Sequence, residues 1–234
     1  MRKEDLVKTL EQQLGAVKAE RLAARRDPGL LAARTALKQF QSARLARSHA
    51  DLLAAPDSHH AALFFLDELY GSADLSQRDA DLARIVPTMQ RLLPLHALQT
   101  ITQAIVLDAL SERLDTALAR ALGAAFSEQQ YIDGYRAVSA HADRDSQLTL
   151  VKALGDSLCE LVRVPFLATT LGVMRGPARL AGLGDLHRFL ERGFSTFKQM
   201  KRPRDFVATI VGRERSVLEN IFCGRAQPFE LGGG

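Results

Sequence analysis

The sequence predicts an all-α protein, a mostly antiparallel multi-helix bundle of about nine helices. Leu and Ala together fill about 30% of the 234 positions and aromatic residues only 6%, a composition that favours helices over strands. Apolar residues recur every third or fourth position along most of the chain. Pro, Gly and Ser interrupt this pattern at intervals typical of helix length, and no stretch alternates like a strand.

The first two helices are expected to form a basic hairpin over residues 1–55. Apolar residues follow helical spacing over residues 3–25, namely Leu6, Leu10, Leu14 and Val17. Asp27 can cap a second helix, and Pro28 suits its first turn. We expect six arginines on the exposed side of the hairpin: Arg21, Arg25, Arg26, Arg34, Arg44 and Arg47. Pro56 marks the one domain boundary, so the hairpin either forms a lobe of its own or packs on the rest.

Residues 56–224 are predicted to form the main helical bundle. Seven further helices are expected. One begins at Ser76 and is kinked or ended at Pro87, one begins at the cap Ser127, and the others span residues 58–71, 94–122, 143–163, 185–201 and 204–223. Residues 165–183 are rich in Gly and Pro, which predicts short helices and turns. Residues 225–234 are expected to be a flexible tail.

Charge is distributed unevenly along the chain. Residues 1–47 carry a net charge of +6, residues 48–160 carry −8 and residues 161–234 carry +6. The basic ends either pack on the acidic middle or form an anion-binding surface. The N-terminal residues lack the apolar core of a signal peptide, and the longest uncharged stretch, 92–107, is too short and polar to span a bilayer. We therefore expect a cytoplasmic protein without a membrane partner.

One segment resembles a known signature. The stretch FFLDELYG at residues 64–71 is similar to the motif of a bacterial group, the FFLEELY-motif proteins, with Asp67 where that motif has Glu. Three further segments are compatible with the same group: RDADL (78–82), RDSQL (144–148) and FLERGFSTF (189–197). The family has no assigned activity, so the resemblance implies a bacterial protein and no mechanism.

Arg144 and Gln147 are the main candidates for a binding site. They extend a row of apolar residues at spacings of three and four: Val151, Leu154, Leu158 and Leu161. A cation on a core-facing row must pair or extend to the surface, because an unpaired buried charge is costly. We expect Asp67 or Glu68 to face inward and to pair with an arginine, and we expect Glu68 to contact Arg144. The contact is either a structural ion pair or part of a pocket for a carboxylate or phosphate.

Tyrosines provide the remaining candidates. Tyr131 and Tyr135 share one face of the predicted sixth helix, either as a packed helix contact or as the lining of a pocket. A pocket is expected between the third, sixth and seventh predicted helices. The predicted ligand-binding residues are Glu68, Tyr70, Tyr131, Tyr135, Arg144 and Gln147.

No catalytic residue, metal ligand or cofactor is predicted. Two histidines each have an acid four residues later (His141 with Asp145, His187 with Glu191), and an acidic row lies nearby at Asp108, Glu112 and Asp115. The metal motifs Glu-x-x-His and His-Glu-x-x-His are absent, so ordinary surface charge is the simpler interpretation. His96 follows an apolar-rich stretch and is expected to be a core histidine rather than a haem ligand.

The sequence therefore favours a non-catalytic helical protein that binds a partner protein or a small anionic ligand. The alternative is a metal- or haem-dependent helical-bundle enzyme that uses His96, His141 and His187. A second alternative is a nucleic-acid-binding protein that acts through its basic ends, for which no recognition motif is present. Its candidate contacts are Lys198, Lys201, Arg202, Arg204, Arg213 and Arg215.

Overall fold

The computed structural model describes residues 2–69, 76–93 and 95–230, except for the side chains of residues 68, 69, 76, 77 and 92. Within these ranges the chain forms eleven helices and no strand, which confirms the predicted all-α fold. The helices are α1 (Lys3–Arg26), α2 (Pro28–Ser48), α3 (Ala50–Ala54), α4 (His59–Leu69), α5 (Ser76–Leu92), α6 (Leu95–Leu122), α7 (Glu128–Val138), α8 (His141–Leu161), α9 (Leu167–Leu180), α10 (Gly184–Gln199) and α11 (Pro203–Phe222).

Several helix ends follow from local sequence. Asp27 caps α2, because its carboxylate accepts the backbone N–H groups of Gly29 and Leu30 at 3.0 and 3.1 Å. Ser127 caps α7 in a reciprocal arrangement with Gln130. These caps confirm the helix starts that the sequence predicts at both positions.

Two prolines lie within continuous helices, so Pro87 does not end its helix, one of the two outcomes that the sequence allows. α5 continues through Pro87 to Leu92, and α9 is a continuous helix of 14 residues that includes Pro177. Both prolines lie on exposed faces, where water can satisfy the carbonyl that a proline leaves without a donor. The prediction of short helices and turns over residues 165–183 is therefore wrong for most of that stretch.

Three apolar clusters make up the described core. One joins α1, α5, α6 and α10, a second joins α1, α2, α6, α7 and α11, and a third joins α4, α8, α10 and α11. Gly155 allows α11 to approach α8 closely, since a Cβ atom there would lie 2.6 Å from Cγ1 of Val207. Phe197 is fully buried in the third cluster.

The prediction that six hairpin arginines are exposed is right for Arg25, Arg26 and Arg47 and wrong for Arg21, Arg34 and Arg44. Arg34 and Arg44 are 6% and 7% exposed. Arg34 pairs with Glu112 and donates to Oγ1 of Thr116 at 2.6 Å. The acidic row on α6 faces α1 and α2 rather than solvent, and ion pairing is what allows both charges to be buried.

We call the group of side chains on α1, α2, α5 and α6 the paired cluster. Arg21 contacts Asp108 at 3.0 Å and Glu112 at 3.1 Å, and it also pairs with Asp79. Arg78 lies 2.9 Å from Asp108. The paired cluster comprises Arg21, Arg34, Arg78, Asp79, Asp108 and Glu112.

Candidate functional site around Arg144

The candidate site lies where α7 passes into α8. Ser139 ends α7 in an extended conformation, and α8 begins two residues later. Arg144 therefore lies in the first turns of α8, directed inward, and it is only 3% exposed. The local turn thus places a permanently charged side chain in the interior, as the row of apolar residues predicts.

Arg144 contacts neutral groups. Its Nε donates to Oγ of Ser139 at 3.2 Å, and its Nη1 donates to Oε1 of Gln147 at 3.3 Å. The guanidinium carbon lies 4.1 Å from the centre of the Tyr135 ring, a cation–π contact. Gln147 in turn donates to Oγ of Ser111 at 2.7 Å. These contacts orient the guanidinium without supplying a negative charge.

Nη2 of Arg144 has no partner. The atom is buried and forms no hydrogen bond, and Arg144 forms no ion pair with any side chain that the structure describes. Buried polar atoms in proteins are normally paired, so an unpaired donor on a charged group needs an explanation. An anion or an ordered water would satisfy this donor.

Asp115 and Gln41 border the same site. Gln41 donates to Oδ1 of Asp115 at 3.2 Å, while its own Oε1 is buried without a partner. Burial raises the pKa of Asp115, and the charge of Arg144 only partly opposes this effect. Burial likewise raises the pKa of Tyr131 and Tyr135. The surroundings of Arg144 therefore favour neutral forms of the groups that could otherwise supply a negative charge.

A second charged pair lies beyond the tyrosines. Arg44 donates to both oxygens of Glu214 at 2.7 and 2.6 Å, and Nε2 of His49 lies 3.0 Å from the same carboxylate. Burial alone would raise the pKa of Glu214, but the charge of Arg44 and the hydrogen bonds from His49 and Arg44 lower it. Phe229 lies under Arg44 and beside Tyr131, with ring centres 6.1 Å apart in the second contact.

Four of the six predicted ligand-binding residues meet in this region. Tyr131, Tyr135, Arg144 and Gln147 are adjacent through the contacts above, or through the ring contact between the two tyrosines at 5.8 Å. The side chain of Glu68 and all of Tyr70 lie outside the described residues. Asp67, the other acid that the sequence offered for Arg144, is exposed. We call the meeting group the Arg144 cluster: Gln41, Ser111, Asp115, Tyr131, Tyr135, Ser139, Arg144 and Gln147.

The sequence does not predict Gln41, Asp115, Ser111 and Ser139 as members of this site, and it singles out Asp115 only as part of the acidic row on α6. A signal for Gln41 does exist, because it follows the spacing of the buried α2 residues Leu30, Ala33, Leu37 and Leu45. A polar residue within an apolar row is the same signal that identified Arg144. Ser111 and Ser139 carry no such signal, because a small hydroxyl residue is common at any helix position or end.

The histidines do not form a shared site. His141 lies 2.9 Å from Glu219 rather than pairing with Asp145, and His187 contacts the backbone oxygen of Leu171 at 2.8 Å. His96 is exposed, contrary to the expected core position, because the first turn of α6 presents it to solvent. In the part of the chain that the structure describes, no group of three His, Cys, Asp or Glu residues could hold a metal ion.

An open pocket of about 350 Å³ lies between α9 and α10. Its lining residues are Arg175, Arg179, Gly184, His187, Arg188 and Glu191. Arg175 pairs with Glu191, and Arg188 pairs with Asp185. The pocket lining is therefore basic overall, with Glu191 as the acid among its lining residues and Asp185 pairing Arg188 from beside it.

None of the described helices is both long enough and apolar enough to span a membrane.

The fold and the buried polar clusters place the chain among all-α helical bundle proteins. A family model described as a domain of unknown function, DUF8198, matches residues 20–228, so the chain belongs to the DUF8198 family. No curated protein and no solved structure matches the chain significantly. The family match covers every residue of the Arg144 cluster.

Proposed function

We propose that the protein is a non-catalytic binding protein and that its ligand is a small anion held by Arg144. One observation carries this proposal: Arg144 is 3% exposed, and its Nη2 is buried without an acceptor. Removing a guanidinium from water without a counter-charge is costly. An anion beside Nη2 would supply both the missing acceptor and the missing charge.

The surroundings favour a carboxylate or a phosphate group. Tyr135 and Ser139 fix the plane of the guanidinium, which leaves Nη2 as the donor for one ligand oxygen. The raised pKa of Asp115 favours its neutral form, which would not repel an anion. Gln147 and Ser111 are half-buried and connect the cluster with the surface. This buried position supports a small ligand over the partner protein that the sequence offers as the other possibility.

Thermal unfolding in the presence of phosphate, sulfate, acetate or succinate tests the proposal. At least one anion should raise the melting temperature, since a ligand at 100 times its Kd adds about 2.7 kcal/mol of stability. Arg144→Met should fold but lose this shift, because the methionine offers no donor. Arg113→Met is the matched control: Arg113 is an exposed arginine of α6, paired with Asp143, and this variant should keep the shift.

Two results would contradict the proposal. The first is a wild-type melting temperature that none of the four anions raises beyond the effect of chloride at equal ionic strength. The second is an equal shift in Arg144→Met, which would place the anion elsewhere on the protein.

The other two functions have less support. A metal- or haem-dependent enzyme would need ligands from His96, His141 and His187. These three histidines do not share contacts: His141 lies beside Glu219, His187 contacts the backbone of Leu171, and His96 is exposed. Nucleic-acid binding would draw on the C-terminal cations, and three of these are paired with acids: Arg204 with Glu160, Arg213 with Asp51 and Arg215 with Asp145. Each such pair would have to be broken before the arginine could bind a phosphate.

We further propose that the DUF8198 family includes the FFLEELY-motif proteins and that this protein acts in the bacterial cytoplasm. The resemblance of residues 64–71 to that motif supports the first part. The bacterial nature of that group supports the second.

A further inference from the structure

α9 exposes a line of large apolar side chains. Phe166, Val173 and Leu180 are 81%, 70% and 92% exposed. They are seven residues apart, so each deviates by only about 20° around the helix from the one before. The line is about 21 Å long at 1.5 Å per residue. Of the ten large apolar side chains that are exposed in the described ranges, six lie between residues 164 and 190.

Phe166 is held in a costly conformation. Its φ angle is +63°, in the left-handed region that bulky residues rarely adopt. Its side chain is nevertheless mostly exposed, so the protein gains little packing from it. Backbone strain at a residue with little internal role is typical of a surface that contacts something else.

The sequence around α9 is positively charged, although Arg175 and Arg179 lie about 160° and 120° around the helix from Val173 and border the pocket with α10. No Asp or Glu occurs between Glu160 and Asp185, while three arginines occur there: Arg163, Arg175 and Arg179. Residues 161–192 contain five arginines and two acids, and both acids are paired with arginines. A symmetric contact between two copies through α9 would bring these positive regions together, which disfavours a second copy as the occupant.

We propose that α9 is a membrane-contact surface that lies on an anionic lipid bilayer. The three apolar side chains project from a convex helix face. A bilayer is soft and can deform around such a face, whereas a protein partner could bind it only through a groove of matching shape. Apolar insertion combined with arginine attraction to anionic headgroups is how surface-bound helices hold to membranes. The proposal departs from the expectation of no membrane partner, which rested only on the missing spanning segment. It is independent of the Arg144 ligand.

Sedimentation with vesicles tests this surface. The full chain should bind vesicles of phosphatidylglycerol and phosphatidylcholine in equal parts, but not phosphatidylcholine alone, and salt should weaken the binding. The triple change Phe166→Ser, Val173→Ser and Leu180→Ser should weaken it on the order of tenfold or more. Arg179→Gln should weaken it about fivefold.

A matched control removes three exposed apolar side chains elsewhere, through Leu22→Ser, Leu31→Ser and Leu95→Ser. This variant and Arg144→Met should both bind the vesicles as the wild type does, and circular dichroism should show that every variant is folded. Failure of the wild type to bind anionic vesicles overturns the proposal, and so does binding that survives the triple change in α9. A dimer in light scattering that the α9 changes dissociate, without vesicle binding, would instead identify the face as an interface between copies.

Discussion

Arg34 and Arg144 are buried to a similar extent, but Arg34 has a carboxylate partner and Arg144 has none among the described residues. Arg34 is 6% exposed and contacts Glu112 and Thr116 in the paired cluster. Arg144 is 3% exposed and contacts only neutral groups and an aromatic ring among the described residues. α6 contributes to both clusters, with Glu112 on one side and Asp115 on the other.

The difference between the two clusters shows that burial of an arginine does not by itself indicate a ligand-binding site. In the paired cluster the counter-charges come from the chain itself, so the fold alone accounts for the burial. The carboxyl group of the Arg144 cluster is that of Asp115, whose pKa is raised by burial. The described residues therefore leave Nη2 of Arg144 without an acceptor, and this is the observation on which the proposed anion rests.

The largest expected effect is the loss of the central carboxylate of the paired cluster. Glu112→Gln removes the charge that Arg34 and Arg21 both contact, and leaving such cations buried should cost about 3–5 kcal/mol of unfolding free energy. Urea unfolding at neutral pH measures this cost. Glu160→Gln, at an exposed pair with Arg204, should change stability by no more than about 1 kcal/mol. Equal effects of the two changes would show that the paired cluster is not needed to hold buried charge.

A smaller effect, of opposite sign, is expected at Asp115. Because the folded state raises the pKa of Asp115 above its ordinary 3.8, it favours the protonated form, and that contribution is lost as pH rises through the raised pKa. Asp115→Asn resembles the protonated form and should be more stable than the wild type at neutral pH, with the difference vanishing toward pH 3.8. Urea unfolding across this pH range measures the difference.

Glu112 should show the opposite trend with pH. Burial raises its pKa, but the charges of Arg34 and Arg21 outweigh this and lower it below the ordinary 4.5. Its stabilising contribution is therefore complete above pH 4.5 and is lost as the pH falls through the lowered pKa. The deficit of Glu112→Gln should accordingly shrink in acid.

For the earlier prediction at Asp115, an Asp115→Asn variant less stable than the wild type at neutral pH would contradict the assignment of a raised pKa to Asp115.

The smallest effect is expected at Arg144 itself. Without ligand, Arg144→Met removes a buried charge that has no counter-charge among the described residues, so stability should stay within about 1 kcal/mol of the wild type or rise. The same substitution at Arg34 should be strongly destabilising, because it deprives Glu112 of its closest cation. Parallel urea unfolding of the two variants compares the clusters directly. A large loss in Arg144→Met would mean that the arginine is a structural element with an internal partner.

The sequence predicts the fold well and the site in part. Apolar spacing identifies the helices and correctly directs Arg144 into the core, because burial of a helix face depends on local periodicity. It does not reveal which acid meets which arginine. Arg21 and Asp108 are 87 positions apart, and their contact depends on how α1 crosses α6. Arg34 and Arg44 were assigned to the surface from residue type, although their spacing matches the buried face of α2.

Gly155 determines how closely α8 and α11 can approach each other. With no room for even a methyl group against Val207, the two helix backbones fix each other's distance. α8 carries Arg144 and α11 carries Glu214, so a change at this contact would shift the two helices that hold these charges. A larger residue at position 155 would act as a wedge, and it would move a cation relative to an anion without touching either.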